Sequence, residues 1–180
     1  MNKIKAKYTN PLVYHKLGNF LKDYISKNTI LVCIGTDRYI GDCLGPMVGT
    51  LLTYKHFPLP VYGTIQEPIH ALNINRKLDE IKLKHKSCNI LGIDACLGDT
   101  ESIGEIQIRD FPVHPGKGVG KSLPNVGEAS IIGIVDSNAN RNLFSSSNNI
   151  RLNLILSMSK VILDSLTHAY NLYENSDKIY

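Results

Sequence analysis

Two aspartates, Asp42 and Asp94, follow predicted buried strands and are the first candidates for chemistry in this chain. Asp94 ends the apolar run Cys88–Asp94, and Asp42 lies in the polar segment that follows the strand predicted over Thr29–Ile34. The carboxyl ends of parallel strands meet at one edge of a sheet, so we expect the two carboxylates to lie near each other. Such a pair shares a proton or binds a metal ion, and either arrangement activates water for hydrolysis.

A histidine and a glycine-rich segment come later in the chain and can reach the same edge of the sheet. His114 precedes Gly116, Gly118 and Gly120. Beside two carboxylates His114 is a candidate third metal ligand or acid–base partner, whereas alone it is an ordinary surface residue. The glycines allow a peptide or ligand to approach the backbone closely, or else they form a surface loop. Gly35, after the first predicted strand, is expected to line the same cleft.

The end of the glycine-rich segment, Gly120-Lys121-Ser122, also resembles a phosphate-binding loop. That motif requires a glycine, four further residues and then Gly-Lys-Ser/Thr. Pro115 occupies the position of the first glycine, and a proline neither donates an N–H nor adopts positive φ. Pro124 interrupts the helix that should follow the motif. We therefore expect this segment not to bind phosphate or a nucleotide.

Each candidate also has a purely structural interpretation. Asp42 precedes a predicted helix, where Asp is a favoured N-cap, and Asp94 can cap a loop. Cys43 and Cys96 flank the two aspartates, so a Cys–His nucleophile is conceivable, although both cysteines are equally consistent with small residues packed behind the edge. Asp136, at the end of a later predicted strand, is interpreted as a cap.

These residues must be positioned by alternating strands and helices. Short apolar runs predict buried strands at four places: Thr29–Ile34, Val61–Gln66, Cys88–Asp94 and Ile131–Val135. Alternation predicts an edge or antiparallel strand over Ile103–Arg109. Helical spacing predicts helices that begin at Asn10-Pro11, near Cys43, at Leu72 and at Ile150. Strands that alternate with helices predict an α/β domain with a mostly parallel sheet.

The composition is that of one ordinary globular domain. The 180 residues are 43% hydrophobic and 20% charged, which predicts a single domain over residues 1–180. No apolar run approaches the ~18 residues of a membrane span and no signal peptide is recognised, so we expect a cytoplasmic protein with reduced cysteines and no membrane partner. Residues 1–30 carry six Lys and one Asp. Without interleaved aromatic or Arg residues, this excess predicts a solvated leading segment and no nucleic-acid partner.

Three segments also carry a recognisable pattern, in a fixed order along the chain: Gly41–Pro46, Ile93–Ala95 and His114–Gly120. They resemble the Asp-Ala-Leu-Gly-Pro, Ile-Asp-Ala and His-Pro-Gly-Ser-Gly-Val-Gly segments of the germination protease of endospore-forming bacteria. Order and approximate spacing agree, and the resemblance covers about residues 30–136. The chain is identified as a member of the YyaC family of sporulation proteins, short relatives of that protease.

This resemblance implies a three-layer α/β/α sandwich of the phosphorylase/hydrolase-like type, shared with the hydrogenase maturation endopeptidases. In the germination protease the aspartates that match Asp42 and Asp94 are the proposed catalytic pair. In the maturation endopeptidases acidic residues at these positions help to bind a metal ion with a histidine, for which His114 is the candidate here. Cys43 and Cys96 depart from the germination protease, which has Ala and Leu at those positions.

Two functions from different classes follow as expectations. The first is a sporulation-associated endopeptidase, in which Asp42 and Asp94, with or without a divalent metal ion, activate water and the loop His114–Gly120 lines the cleft. Its substrate would be a protein or peptide, such as a spore protein, inside the sporulating cell or the spore. The second is a catalytically inactive peptide- or metal-binding sporulation protein of the same fold. A homo-oligomer is compatible with either function.

Overall fold

The computed structural model describes residues 2–116, 123–138 and 150–177. Its strands are β1 Lys3–Lys7, β2 Thr29–Cys33, β3 Val61–Tyr62, β4 Asn89–Gly98, β5 Glu105–Arg109 and β6 Ala129–Ser137. They form one six-stranded sheet in the order β1-β5-β6-β4-β2-β3. The neighbours β6, β4, β2 and β3 are parallel, whereas β5 pairs antiparallel with both β6 and β1. The sheet is therefore mixed and mostly parallel, as predicted.

Helices cover both faces of the sheet and complete a three-layer α/β/α sandwich, as predicted. They are α1 Val13–Leu21, α2 Leu44–Tyr54, α3 Ile74–Lys84 and α4 Leu152–Asp177. Residues of α1, α2 and α4 share one core on one face, and α3 packs in a second core on the other. Across the described ranges, no helix combines the length and the apolar character of a membrane span.

The two cores hold the layers together by apolar burial. In the first core, Leu17, Leu44 and Met158 each bring a fully buried side chain from a different helix. In the second, Ile74 and Leu78 of α3 pack against the opposite face of the sheet. Burying an aliphatic side chain of this size contributes about 1.5–3 kcal/mol. The sheet that positions the two aspartates is thus fixed by packing on both faces.

The basic leading segment is a strand, which corrects the prediction of a solvated arm. β1 pairs with β5, so that Lys5 lies opposite Gln107 and β5 is an inner strand. Ile4 and Ala6 pack against the first core, while Lys5 reaches Glu105 at 3.3 Å on the other face. Lys alternates with Ile and Ala over Lys3–Lys7, which is typical of a strand. The high charge of the segment led instead to the prediction of a solvated segment.

Two element boundaries differ from prediction for local reasons. The predicted strand over Val61–Gln66 keeps only its first two residues, because Gly63 has a φ of +87° and a Cβ there would lie 1.8 Å from the carbonyl oxygen of Cys33. The first helix begins at Val13 and not at Asn10-Pro11. The Asn10 side chain accepts the N–H of Leu12 at 3.1 Å and forms a turn before the helix.

Candidate active site

Asp42 is positioned by a tight turn at the carboxyl end of β2. The N–H of Thr36 bonds the carbonyl oxygen of Asp42 at 3.1 Å, and the N–H of Asp42 bonds that of Tyr39 at 3.0 Å. Gly35 makes this closure possible. It has a φ of +133°, and a Cβ at this position would lie 2.0 Å from the carbonyl oxygen of Asp42. Gly35 is therefore required by the turn that presents Asp42.

The side chain of Asp42 does not cap the following helix, so the N-cap interpretation is wrong. Asp42 ends a short 3-10 turn over Ile40–Asp42, and the N-cap of α2 is Cys43, without a side-chain capping bond. The carboxylate is half-buried. Burial raises the pKa of Asp42 to about 6, against a smaller lowering by the hydrogen bond from the Thr36 backbone. Asp42 is thus a carboxylate that titrates near neutral pH.

Asp94 lies inside β4 and not at its end, because β4 continues to Gly98. The last residue pair between β2 and β4 joins Cys33 to Ile93, and the N–H of Ile34 bonds the Ile93 carbonyl oxygen at 2.7 Å. Asp94 is therefore the first residue of β4 beyond β2. Its Oδ1 accepts the N–H of Ala95 at 2.8 Å. Asp94 is therefore not a loop cap but a residue of β4, one position beyond the end of its pairing with β2.

The two aspartates are near enough to interact electrostatically. Burial raises the pKa of Asp94 well above its ordinary value, and the negative charge of Asp42 raises it further. Burial and the charge of Asp42 thus favour the protonated form of Asp94, whereas the pKa of about 6 leaves Asp42 mostly ionised at neutral pH. Two carboxyl groups with separated pKa values can act as an acid and a base in the same reaction.

The loop that contains His114 is anchored next to Asp94. Val113 and Val126 form an antiparallel bridge, with N–H···O distances of 2.9 and 3.0 Å in the two directions. This bridge lies over Gly92, where a Cβ would meet Val113 at 2.7 Å and Val126 at 2.9 Å. Because strand residues two apart share a face, the bridge and the Asp94 side chain lie on the same face of β4.

His114 itself is exposed, and its Nδ1 lies 2.6 Å from Oδ1 of Asn125 across the base of the loop. Gly116 has a φ of +83°, in the region that favours glycine. Gly118 and Gly120, expected to line the cleft, lie outside the described residues, as does the Lys121-Ser122 pair of the phosphate-loop alternative. Leu123 and Pro124 are described and are not helical.

The predicted metal ligands do not assemble into a metal centre. Within residues 2–116, 123–138 and 150–177, no group of three or more His, Cys, Asp or Glu side chains is arranged to hold a metal ion. Asp42, Asp94 and His114 are all in these ranges, and His114 is instead bonded to Asn125. The donor set needed for a three-ligand centre is therefore not formed.

The cysteines that flank the aspartates are protonated at neutral pH. Burial raises the pKa of the Cys43 thiol, and the charges of Asp37 and Asp42 raise it further. Burial also raises the pKa of Cys96, although the nearby Arg109 guanidinium acts in the opposite direction and hydrogen-bonds the thiol. A thiol is a poor nucleophile while it is protonated. The arrangement disfavours the Cys–His alternative.

Two cavities among the described residues lie at the end of the sheet opposite the aspartates. One is lined by residues that include Thr29, Pro60 and His85, and the other by residues that include Asn89 and Glu128. Thr29 and Asn89 begin their parallel strands, so both cavities are at the amino ends. The raised pKa values of Asp42 and Asp94 instead favour the carboxyl ends of the strands as the candidate site, since perturbed pKa values cluster at functional groups.

Three residues of the site were missed by sequence reasoning. Thr36 donates its backbone N–H to Asp42, Asn125 holds His114, and Arg109 bonds the Cys96 thiol. Thr36 directly follows Gly35, which the sequence analysis placed at the cleft, so its contact with Asp42 could have been predicted from the sequence. Arg109 and Asn125 belong to other segments, and no local pattern connects them to the site.

The residues of the site lie within a stretch that is shared with other proteins. The family model described as "Protein of unknown function (DUF1256)" matches residues 5–165. The chain is also similar to the protein YyaC of Bacillus subtilis (strain 168), with 41% identity over 152 residues, which cover 84% of this chain and 74% of that protein. The match extends over nearly all of the described fold. The chain therefore belongs to the DUF1256 family and to the family of the YyaC protein.

Proposed function

We propose that this protein is an endopeptidase of the sporulating cell, acting in the cytoplasm or the spore interior. The proposal is carried by one observation, the unequal proton affinity of two interacting carboxyl groups: the pKa of Asp42 is raised to about 6, and burial together with the charge of Asp42 raises the pKa of Asp94 well above its ordinary value. An ionised carboxylate is a general base and a protonated one is a general acid. The spore context rests on the resemblance of three segments to the germination protease.

The reaction needs nothing beyond the two carboxyl groups and one water molecule. The Asp42 carboxylate accepts a proton from water while the water oxygen bonds to the carbonyl carbon of the peptide. Asp94 donates its proton to the carbonyl oxygen, which gives a neutral tetrahedral intermediate. Asp42 then protonates the departing nitrogen, the C–N bond breaks, and the new carboxyl group returns a proton to Asp94. Both residues end in their starting states.

The course of β4 supports a peptide as the substrate. β2 pairs with β4 only as far as Ile93, so that in the described residues no strand pairs with the β2 side of residues 94–98. Ala95 and Leu97 are partly exposed there. An extended peptide that follows such an edge gains main-chain hydrogen bonds, as in β-strand addition. It would pass beside Asp94, where its carbonyl groups meet the acid.

The test is cleavage of protein substrates by matched aspartate variants. A spore protein extract and a random peptide library are incubated with the wild type, with Asp42→Asn and with Asp94→Asn, and products are identified by mass spectrometry. We expect cleavage by the wild type and a loss of about 10²-fold or more in each variant. Asp136→Asn is the matched control, because Asp136 is also half-buried on a neighbouring strand and its Oδ1 bonds the N–H of Ser137 at 2.7 Å.

Two outcomes would contradict the proposal. Cleavage by Asp94→Asn at the wild-type rate would exclude the mechanism in which Asp94 is the acid. Binding of peptides without cleavage by the wild type, across the pH range in which Asp42 is ionised, would favour the inactive peptide-binding protein of the same fold.

A further inference from the structure

A pair of histidines joins the first helix to the last. Nδ1 of His15 in α1 and Nε2 of His168 in α4 lie 3.3 Å apart, and the two rings are nearly perpendicular at 81°. The pair is remote from the aspartates. Ile150, just before α4, contacts Gly41 beside Asp42, and His168 lies roughly 24 Å further along the helix from Leu152 at the helical rise of 1.5 Å per residue.

The close approach of the two rings is built by their neighbours. Gly18 has no side chain, and a Cβ there would lie 2.7 Å from Cδ2 of His168 and 2.9 Å from the carbonyl oxygen of Ser165. Tyr14 packs beside His15 with ring centroids 4.2 Å apart, and its ring edge meets His168 at 6.1 Å. The two imidazoles are therefore held together by contacts from both helices.

The separation of the two nitrogens is that of two ligands of one metal ion. Zn–N bonds of about 2.0–2.1 Å at the tetrahedral angle place two ligand nitrogens about 3.3–3.4 Å apart. The observed 3.3 Å matches this spacing, and it is also the length of a long hydrogen bond between the two rings when no ion is bound. We propose that His15 and His168 bind one divalent late transition-metal ion, with water completing its coordination.

The chemistry of the pair selects the class of ion. Imidazole nitrogen suits Zn²⁺, Ni²⁺ and Cu²⁺, whereas Mg²⁺ prefers oxygen ligands. An ion bound by both residues ties α1 to α4, and it stabilises the folded state because the unfolded chain does not hold the two ligands together.

The test is calorimetric titration of the EDTA-treated protein with Zn²⁺ and, separately, with Mg²⁺. We expect one Zn²⁺ ion per chain, no Mg²⁺ binding, and a thermal unfolding temperature that rises with added Zn²⁺. Both His15→Gln and His168→Gln should weaken Zn²⁺ binding at least about tenfold. Circular dichroism checks that these surface variants are folded.

His114→Gln is the matched control, because it removes the histidine next to the aspartate site and leaves the helix pair intact. It should bind Zn²⁺ as the wild type does. The proposal is overturned if no Zn²⁺ binds at millimolar concentration, if both helix variants bind as the wild type does, or if His114→Gln alone loses binding. The last result would place the ion near the aspartates.

Discussion

Asp42 and Asp94 belong to different elements, yet the charge of Asp42 acts directly on the proton of Asp94. One residue ends a 3-10 turn after β2, and the other lies within β4 just beyond the last partner of β2. The end of β2 thus brings the two carboxyl groups within electrostatic reach of each other. Most of the behaviour expected of the site follows from this relationship.

The rate of peptide cleavage should depend on pH as a bell-shaped curve. Asp42 must be ionised, so kcat/KM should rise with pH through about 6 and level off above it. Asp94 must be protonated, so kcat/KM should fall again at higher pH as the raised pKa of Asp94 is passed. Initial rates with one peptide substrate across the pH range measure both limbs. A rate that increases steadily into the alkaline range would exclude Asp94 as the acid.

The Asp94→Asn substitution should stabilise the protein at neutral and alkaline pH. A raised pKa in the folded state means that the stabilising effect of the bound proton is complete below the unfolded pKa and is lost as pH rises through the folded pKa. The amide carries no such penalty. We expect a higher free energy of unfolding in urea for the variant at about pH 8, and little difference from the wild type at about pH 3. Equal stabilities at both pH values would contradict the buried proton.

The Gly35→Ala substitution should damage both stability and cleavage. A φ of +133° is strained for alanine, and its Cβ would lie 2.0 Å from the carbonyl oxygen of Asp42, so we expect a loss of about 1–3 kcal/mol. The turn that presents Asp42 would shift, and cleavage per folded molecule should fall.

Gly104→Ala is the matched control for that substitution. Gly104 also has a positive φ, +85°, and its added Cβ would meet Tyr8 and not the turn that presents Asp42. Urea unfolding and cleavage assays on both variants separate general strain from damage to the site. If both variants lose cleavage equally, Gly35 has no special role in presenting Asp42.

The His114→Gln substitution should change cleavage less than about tenfold, because a residue that transfers a proton contributes about 10²–10⁴-fold. His114 is exposed and bonded to Asn125, which places it at the border of the site. Stability should change little for the same reason. Steady-state cleavage rates measure the effect, and a loss of 10²-fold or more would assign His114 to the chemistry.

Thiol reagents should not inhibit cleavage. Burial raises the pKa of both Cys43 and Cys96, so neither thiol is ionised at neutral pH. We expect Cys96→Ala to retain cleavage and iodoacetamide to react slowly with the native protein. Rapid alkylation of Cys96 together with loss of cleavage would support the alternative mechanism, in which a cysteine is the nucleophile.

Local sequence patterns were enough to predict the fold class and to select the two aspartates. The buried strands and most helices follow from apolar runs and helical spacing, because side chains on one face of an element recur with the period of that element. Asp42 and Asp94 follow from the rule that sites gather beyond the carboxyl ends of parallel strands. β1 was missed because its lysines dominate the composition of the segment, whereas its pairing with β5 depends on residues 100 positions away.

The sequence by itself therefore selected the two carboxyl groups, and only the tertiary structure decided how their pKa values are shifted. The pKa of each group depends on burial and on the charge beside it, and both arise when β4 extends past β2 and the Gly35 turn folds over its end. His114 shows the same division. Its loop was visible in the sequence, but the bond to Asn125 that holds it at the border forms only when Val113 and Val126 pair.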